Sequence, residues 1–201
     1  MKLYYKAGAC SMASHLALEE SGLIYAIEAV DLVSKKTESG IDFQSINPKG
    51  YIPALVLDDG AVLTEGVAIL LRIAALAPDK ELAPAMGSIN YMSLVEWLVF
   101  IATELHKPAG MQFNPAMPAD GKTALKTILT RRLDYAEKTL GTGPFLMGKS
   151  LSVADFYLFT VFSWLGRLGI DTGAWPHLIA HFERIKARPA TQAVFLAEGL
   201  A

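Results

Sequence analysis

Apolar positions in the first eighty residues alternate between strand-like and helix-like spacing. Lys2–Lys6 is a short β-prone start, and Gly8 breaks it. Met12–Glu20 has helical composition, and Gly22 stands where a helix C-terminal glycine belongs. Ile24–Leu32, rich in branched and aromatic residues, reads as a strand. Ala54–Leu57 and Ala61–Leu63 are apolar runs joined by Asp58-Asp59-Gly60, a hairpin signal. Thr64 is placed to cap a helix from Glu65 to about Ala77, ended by Pro78. The order is β-α-β followed by β-β-α. A strand–helix–strand unit implies a parallel pair and a hairpin an antiparallel one, so a mixed sheet of four strands is expected.

Beyond Pro84 the strand signals stop. Leu94, Trp97, Leu98, Ile101 and Leu105 form a helical stripe over Ser88–His106. Pro108, Gly110, Pro115 and Pro118 predict an irregular dozen residues after it. Further helices are expected over Asp120–Leu140, from Ser152 to about Leu168, and between Pro176 and Pro189, with a short one at the end. Ser152-Val153-Ala154-Asp155 is a capping box with Asp in place of Glu, flanked by Leu151 and Phe156 as a hydrophobic staple. It is a folding signal. The fold class is therefore α/β plus all-α, with an α/β domain over residues 1–81 and an all-helical domain over 88–201.

Composition narrows the function classes. The 201 residues carry 18 basic and 20 acidic side chains, for a formal net charge of -2. Such a chain has no electrostatic footprint for nucleic acid or an anionic membrane. No stretch approaches the roughly 18 uncharged apolar residues of a membrane span; the most apolar, Phe156–Leu165, reads as a buried helix. The first residues lack the pattern of a secretory signal, and the single cysteine, Cys10, allows no intrachain disulfide. Both features lead us to expect a reducing compartment, the cytoplasm.

Cys10 is the sharpest chemical feature. It lies between a predicted strand and the first turn of a predicted helix, where unpaired N–H groups and the positive end of the dipole favour a thiolate. A small buried hydrophobe explains a lone cysteine equally well. Without a second cysteine, any redox cycle must use an external thiol. Tyr5 and Ser11 are candidate hydroxyl donors to that thiolate, although strand packing also accounts for Tyr5.

Other positions carry two readings each. Ile52-Pro53 opens a strand; a trans turn is the ordinary case, whereas a cis bond would offer the Ile52 backbone to an extended ligand. Thr64-Glu65-Gly66 begins a helix whose N–H groups suit a carboxylate while Glu65 suits an ammonium, although a plain capped helix explains it too. His106 and Lys107 suit a helix C-terminus, or face the thiol. His15, His177 and His181 lack the spacing of a metal site, and no metal is expected. Met111, Phe113 and Met117 suit an apolar pocket or core packing.

Taken together, these residues resemble a glutathione transferase of the bacterial, cysteine-containing (beta) class. The markers run along the whole chain: Met1–Tyr5, Cys10-Ser11, Lys35–Thr37, Asn47–Leu55, Leu63–Ile69, Glu104–Lys107 and Ser152–Asp155. The resemblance implies a thioredoxin-like first domain, a helical second domain lining a hydrophobic substrate pocket, and a homodimer. It implies glutathione as co-substrate and a small hydrophobic electrophile as its partner. The backbone of Ile52, ahead of a cis Pro53, would pair with the cysteinyl part of glutathione. Glu65 and Gly66 would hold its γ-glutamyl end, and Lys35 the glycine carboxylate. Cys10 would lie beside the glutathione sulfur, with His106 and Lys107 approaching from the helical domain. Thr103 and Glu104 match positions that reach across the dimer.

Two departures stand out. Val99 replaces a common asparagine, and Tyr51 is bulkier than the usual polar residue. The resemblance is compatible with disulfide-exchange or peroxidase side activity through Cys10. The alternative is a transferase-fold binding or regulatory protein with little catalysis.

Overall fold

The computed structural model describes residues 1–201. They form two compact units, residues 1–82 with 187–201 and residues 83–186. No helix is long and apolar enough to cross a membrane.

The first unit runs β1 (Lys2–Tyr5), α1 (Ser11–Ser21), β2 (Ala26–Asp31), β3 (Lys36–Thr37), β4 (Ala54–Val56), β5 (Val62–Thr64) and α2 (Gly66–Leu76). The sheet order is β3-β2-β1-β4-β5. Only β1 and β2 are parallel; the other pairs are antiparallel. Leu3 lies opposite Ile27 on one side and Leu55 on the other, and Leu3 and Leu55 are fully buried. Successive side chains alternate faces, so Tyr4 joins Val30, Phe43, Ile52 and Ala54 in a separate apolar cluster. Gly60 takes φ +83° in the Asp58–Gly60 turn, a conformation that favours glycine.

The sheet has five strands rather than the four expected. The extra strand is the polar pair Lys36-Thr37, which shows no apolar alternation and is held by pairing Thr37 with Val30 and Lys36 with Asp31. Ile24 lies outside β2 and is 91% exposed, so its branched side chain is no guide to the strand. Thr64 does not cap α2. It ends β5, and Glu65 holds the cap position with φ 72°.

The second unit contains α3 (Ile89–Phe100), a π-helical segment (Ile101–His106), α4 (Lys107–Gln112), α5 (Ala119–Leu140), α6 (Val153–Phe162) and α7 (Pro176–Lys186). Helix therefore continues past His106 and through Pro108, where an irregular stretch was expected. In an ordinary α-helix the Pro108 ring would press on the Glu104 carbonyl. The wider turn, in which the Lys107 N–H reaches the Ala102 carbonyl, takes up that misfit.

All ten residues of α6 are buried, and Asp155 in its first turn ties the unit together. Its carboxylate accepts from the Ser152 N–H and hydroxyl, both at 2.8 Å, from the Leu146 N–H at 2.9 Å and from His181 Nε2 at 3.0 Å. The capping box is thus real, and it also receives a second helix.

The last helix, α8 (Pro189–Glu198), belongs to the first unit, so an all-helical domain running unbroken over 88–201 does not describe the packing. It packs on α1, whose residues Ser11–Leu18 are all buried between neighbours. Glu198 accepts from the Gly8 N–H at 2.8 Å and pairs with His15 Nδ1 at 2.8 Å. Arg188 binds Glu20 through two nitrogens. A helix buried on all sides shows no polar stripe, which is why α1 reads weakly from its pattern.

Candidate active site

The turn between β1 and α1 presents Cys10, and its shape is fixed from several directions. Gly8 has φ +64°, and the Ala9 N–H reaches the Lys6 carbonyl at 3.0 Å. The buried Ser11 hydroxyl accepts from the Lys6 N–H at 3.1 Å and donates to the Lys6 carbonyl at 3.2 Å. Ser11 is therefore a brace for the turn. Tyr5 sits with the His15 ring, centroids 5.9 Å apart. Cys10 occupies the N-cap position of α1 and packs partly buried against the Tyr4–Ile52 cluster.

The Cys10 thiol donates to the Ile52 carbonyl, with Sγ 3.5 Å away. The Ile52-Pro53 bond is cis. The preceding turn is organised by buried Asn47, whose Nδ2 donates to the Tyr51 carbonyl at 2.6 Å and whose Oδ1 accepts from the Lys49 N–H at 3.2 Å. Lys35, at φ 58°, sends its Nζ to the Gly50 carbonyl at 2.8 Å. Cys10, Ile52 and Lys35 are thus joined through one run of backbone, residues 50–53.

Glu65 precedes Gly66, the first residue of α2. A side chain added at Gly66 would meet nothing within 4 Å, so the helix N-terminus is open at that point. Glu65 Oε1 accepts from Lys49 Nζ at 2.5 Å and from the Tyr51 hydroxyl at 2.6 Å. Neither partner follows from local pattern, though the unusual bulk of Tyr51 singles it out in the sequence.

The second unit holds the remaining candidates on and beside the π segment. Thr103 donates to the Val99 carbonyl at 3.0 Å, and Glu104 accepts from Arg132 Nε at 2.7 Å. Lys107 is exposed. His106 Nδ1 hydrogen-bonds the Tyr157 hydroxyl at 2.7 Å, and its ring meets Trp164 edge-on at 5.1 Å. Trp164 in turn meets Phe113 at 6.1 Å, beneath the Arg167 guanidinium. Trp164 and Tyr157 are buried, whereas Phe113 and Met111 are exposed, so the region meets solvent through these two apolar side chains. His177 pairs with Glu137 at 2.7 Å and His181 with Asp155, which gives both structural roles.

Burial lowers the His106 pKa from 6.5 to about 4, and the Lys107 charge acts in the same direction. The imidazole is therefore neutral at neutral pH. The unfolded chain takes up a proton near pH 6.5 that the folded chain refuses until about pH 4. The resulting stability is fully present above that window and is lost as pH falls through it, by on the order of 3 kcal/mol. Urea unfolding at pH 7 and pH 4.5 checks this. The wild type should lose more stability on acidification than His106→Gln; equal losses would refute it.

The Glutathione S-transferase, N-terminal domain family matches residues 7–76, and the Glutathione S-transferase, C-terminal domain family matches residues 95–189. The Glutathione S-transferase GstA of Escherichia coli O157:H7 is 42% identical over 200 residues, covering 100% of both chains. The chain belongs to the glutathione S-transferase family. Among solved structures, the glutathione S-transferase of a sphingomonad, complexed with glutathione, is 43% identical with a TM-score of 0.97, covering 100% of both chains. The bacterial beta class glutathione S-transferase of Sphingomonas chungbukensis is 42% identical, also with a TM-score of 0.97 and 100% coverage of both chains. This glutathione S-transferase thus shares its whole length, and not one domain alone, with the bacterial beta-class enzymes.

Proposed function

We propose that the protein joins the thiol of glutathione to small hydrophobic electrophiles. The observation that carries this reading is the Cys10–Ile52 contact on the same sheet end as the open N-terminus of α2. A tripeptide laid along Ile52 pairs its cysteinyl backbone there. Its γ-glutamyl carboxylate meets the Gly66 N–H and its ammonium meets Glu65. Lys35 turns from the Gly50 carbonyl to the glycine carboxylate. The family resemblance adds Lys107 as a further polar group, and Thr103 and Glu104 as positions that would reach across a dimer.

The glutathione sulfur, held as a thiolate, forms a bond to the electrophilic carbon. The leaving group departs with its electron pair, and the thiol proton passes to solvent. Orientation and thiolate stabilisation supply the rate. Within the helical unit, His106 is neutral at neutral pH and so suits a hydrogen-bonding role, and the exposed side chains of Phe113 and Met111 suit an apolar partner.

A second chemistry rests on the partial exposure of Cys10. Its thiolate attacks a disulfide, forming a mixed disulfide and releasing a thiol. A glutathione thiolate then attacks that mixed disulfide, regenerates Cys10 and leaves as the oxidised partner. Cys10→Ala separates the two. Turnover of an aryl halide with glutathione should persist in the variant while disulfide exchange is lost. Loss of both would make Cys10 essential to conjugation as well.

A homodimer in the cytoplasm completes the reading. Ile89, Met92 and Val99 are 79%, 56% and 47% exposed on α3, on the face that Thr103 continues. Exposed apolar side chains on one helix face, with the exposed Glu96 among them, suit a partner surface. Light scattering that found only monomer at micromolar concentration would rule the dimer out.

A further inference from the structure

Glu65 is already engaged by a cation of its own chain. Lys49 Nζ lies 2.5 Å from Oε1 and also donates to Thr64 Oγ1 at 3.1 Å. It stands over the Tyr51 ring, 5.9 Å from the centroid, within the range of a cation–π contact. The Tyr51 hydroxyl takes a second lone pair of the same oxygen at 2.6 Å. The Lys49 pKa is raised, chiefly by its hydrogen bond to Glu65, so the side chain is an ammonium.

The two donors differ in how they can move. Both backbones are pinned by Asn47, through the Lys49 N–H and the Tyr51 carbonyl. Tyr51 reaches Glu65 through a rigid ring on a short stem. Lys49 reaches it through four methylenes, and the pair is open to water, with side chains 46% and 55% exposed. Exposed ion pairs of this kind are weak and readily exchanged.

We propose that Lys49 is an internal competitor for the amine-binding position of the glutathione site. This rests on the assignment of Glu65 to the γ-glutamyl end. The ligand's ammonium and the Lys49 ammonium are the same chemical group and compete for the same carboxylate. A peptide bearing a free α-amine enters by displacing Lys49, while Tyr51 keeps the carboxylate in place. Lys49 then lowers affinity selectively for ligands that carry the amine. The conjugate product carries the same glutamyl end, so the return of Lys49 to Glu65 also speeds its release.

The test is a calorimetric comparison of two ligands, reduced glutathione and its des-amino analogue, in which a glutaryl group replaces the γ-glutamyl group. Lys49→Met should bind glutathione about two- to fivefold more tightly than the wild type and bind the analogue with unchanged affinity. Unchanged or weaker glutathione binding by Lys49→Met would overturn the proposal, and so would equal tightening for both ligands. Glu65→Ala is run alongside. If it binds glutathione as the wild type does, the assignment of Glu65 is at fault. If it loses glutathione while Lys49→Met shows no tightening, only the competition is wrong. The exposed position of Lys49 keeps its replacement from disturbing the core, and circular dichroism verifies the fold.

Discussion

Asp155→Ala should destabilise the helical unit by roughly 3–5 kcal/mol, the range for removing one member of a buried, hydrogen-bonded charged group. The carboxylate is fully buried and accepts four hydrogen bonds, from Leu146, from Ser152 twice and from His181. Alanine leaves these donors inside the protein without an acceptor, and each unsatisfied group keeps its desolvation cost. The cap of a wholly buried helix is lost at the same time. The effect on thermal unfolding should be a fall in midpoint on the order of 10 °C. Ser152→Ala removes only the hydroxyl and should cost about 1 kcal/mol. Urea unfolding followed by circular dichroism gives both numbers. A loss below 1 kcal/mol for Asp155→Ala would show that the network is replaceable, and the account of α6 would fail.

Local signals and long-range packing differ in how well they read from the sequence. The capping box at Ser152, the Asp58–Gly60 hairpin and Gly22 at the end of α1 are legible because each depends on a few neighbouring residues. The two-residue strand β3 is not, since Lys36 and Thr37 gain their conformation from β2 rather than from their own propensity. The π segment is also hidden. Pro108 signals a break, and only the wider turn before it shows how the helix carries on. The end of the chain misleads for a similar reason. Pattern alone makes α8 one more helix of a bundle, whereas Glu198 ties it to Gly8 and His15 within the first unit.

The candidate site follows the same division. Cys10 stands out from its place between a strand end and a helix start, whereas Ile52, Glu65 and Gly66 are singled out by the family resemblance, because a trans turn and a plain capped helix account for their local pattern. Tyr157 beside His106 and Lys49 beside Glu65 do not stand out, because 51 and 16 residues separate the partners along the chain. The depressed His106 pKa is likewise a property of burial, and the sequence shows only a basic residue before a proline.

The second large effect is expected at Glu65. Its carboxylate is the acceptor proposed for the α-ammonium of glutathione, next to the Gly66 N–H proposed for the ligand carboxylate. A hydrogen bond between charged groups contributes about 1.5–3 kcal/mol, so its removal weakens binding by roughly 10- to 150-fold. Lys49 and Tyr51, left without their acceptor, lie at the surface where water serves them, so the fold should be unaffected.

Calorimetric titration of the reduced wild-type protein with glutathione, beside the same titration of Glu65→Ala, tests the central claim most directly. The account predicts saturable binding by the wild type and at least a tenfold loss in the variant. A well-folded wild type that binds no glutathione would contradict it, and the transferase scaffold would then serve a binding or regulatory role.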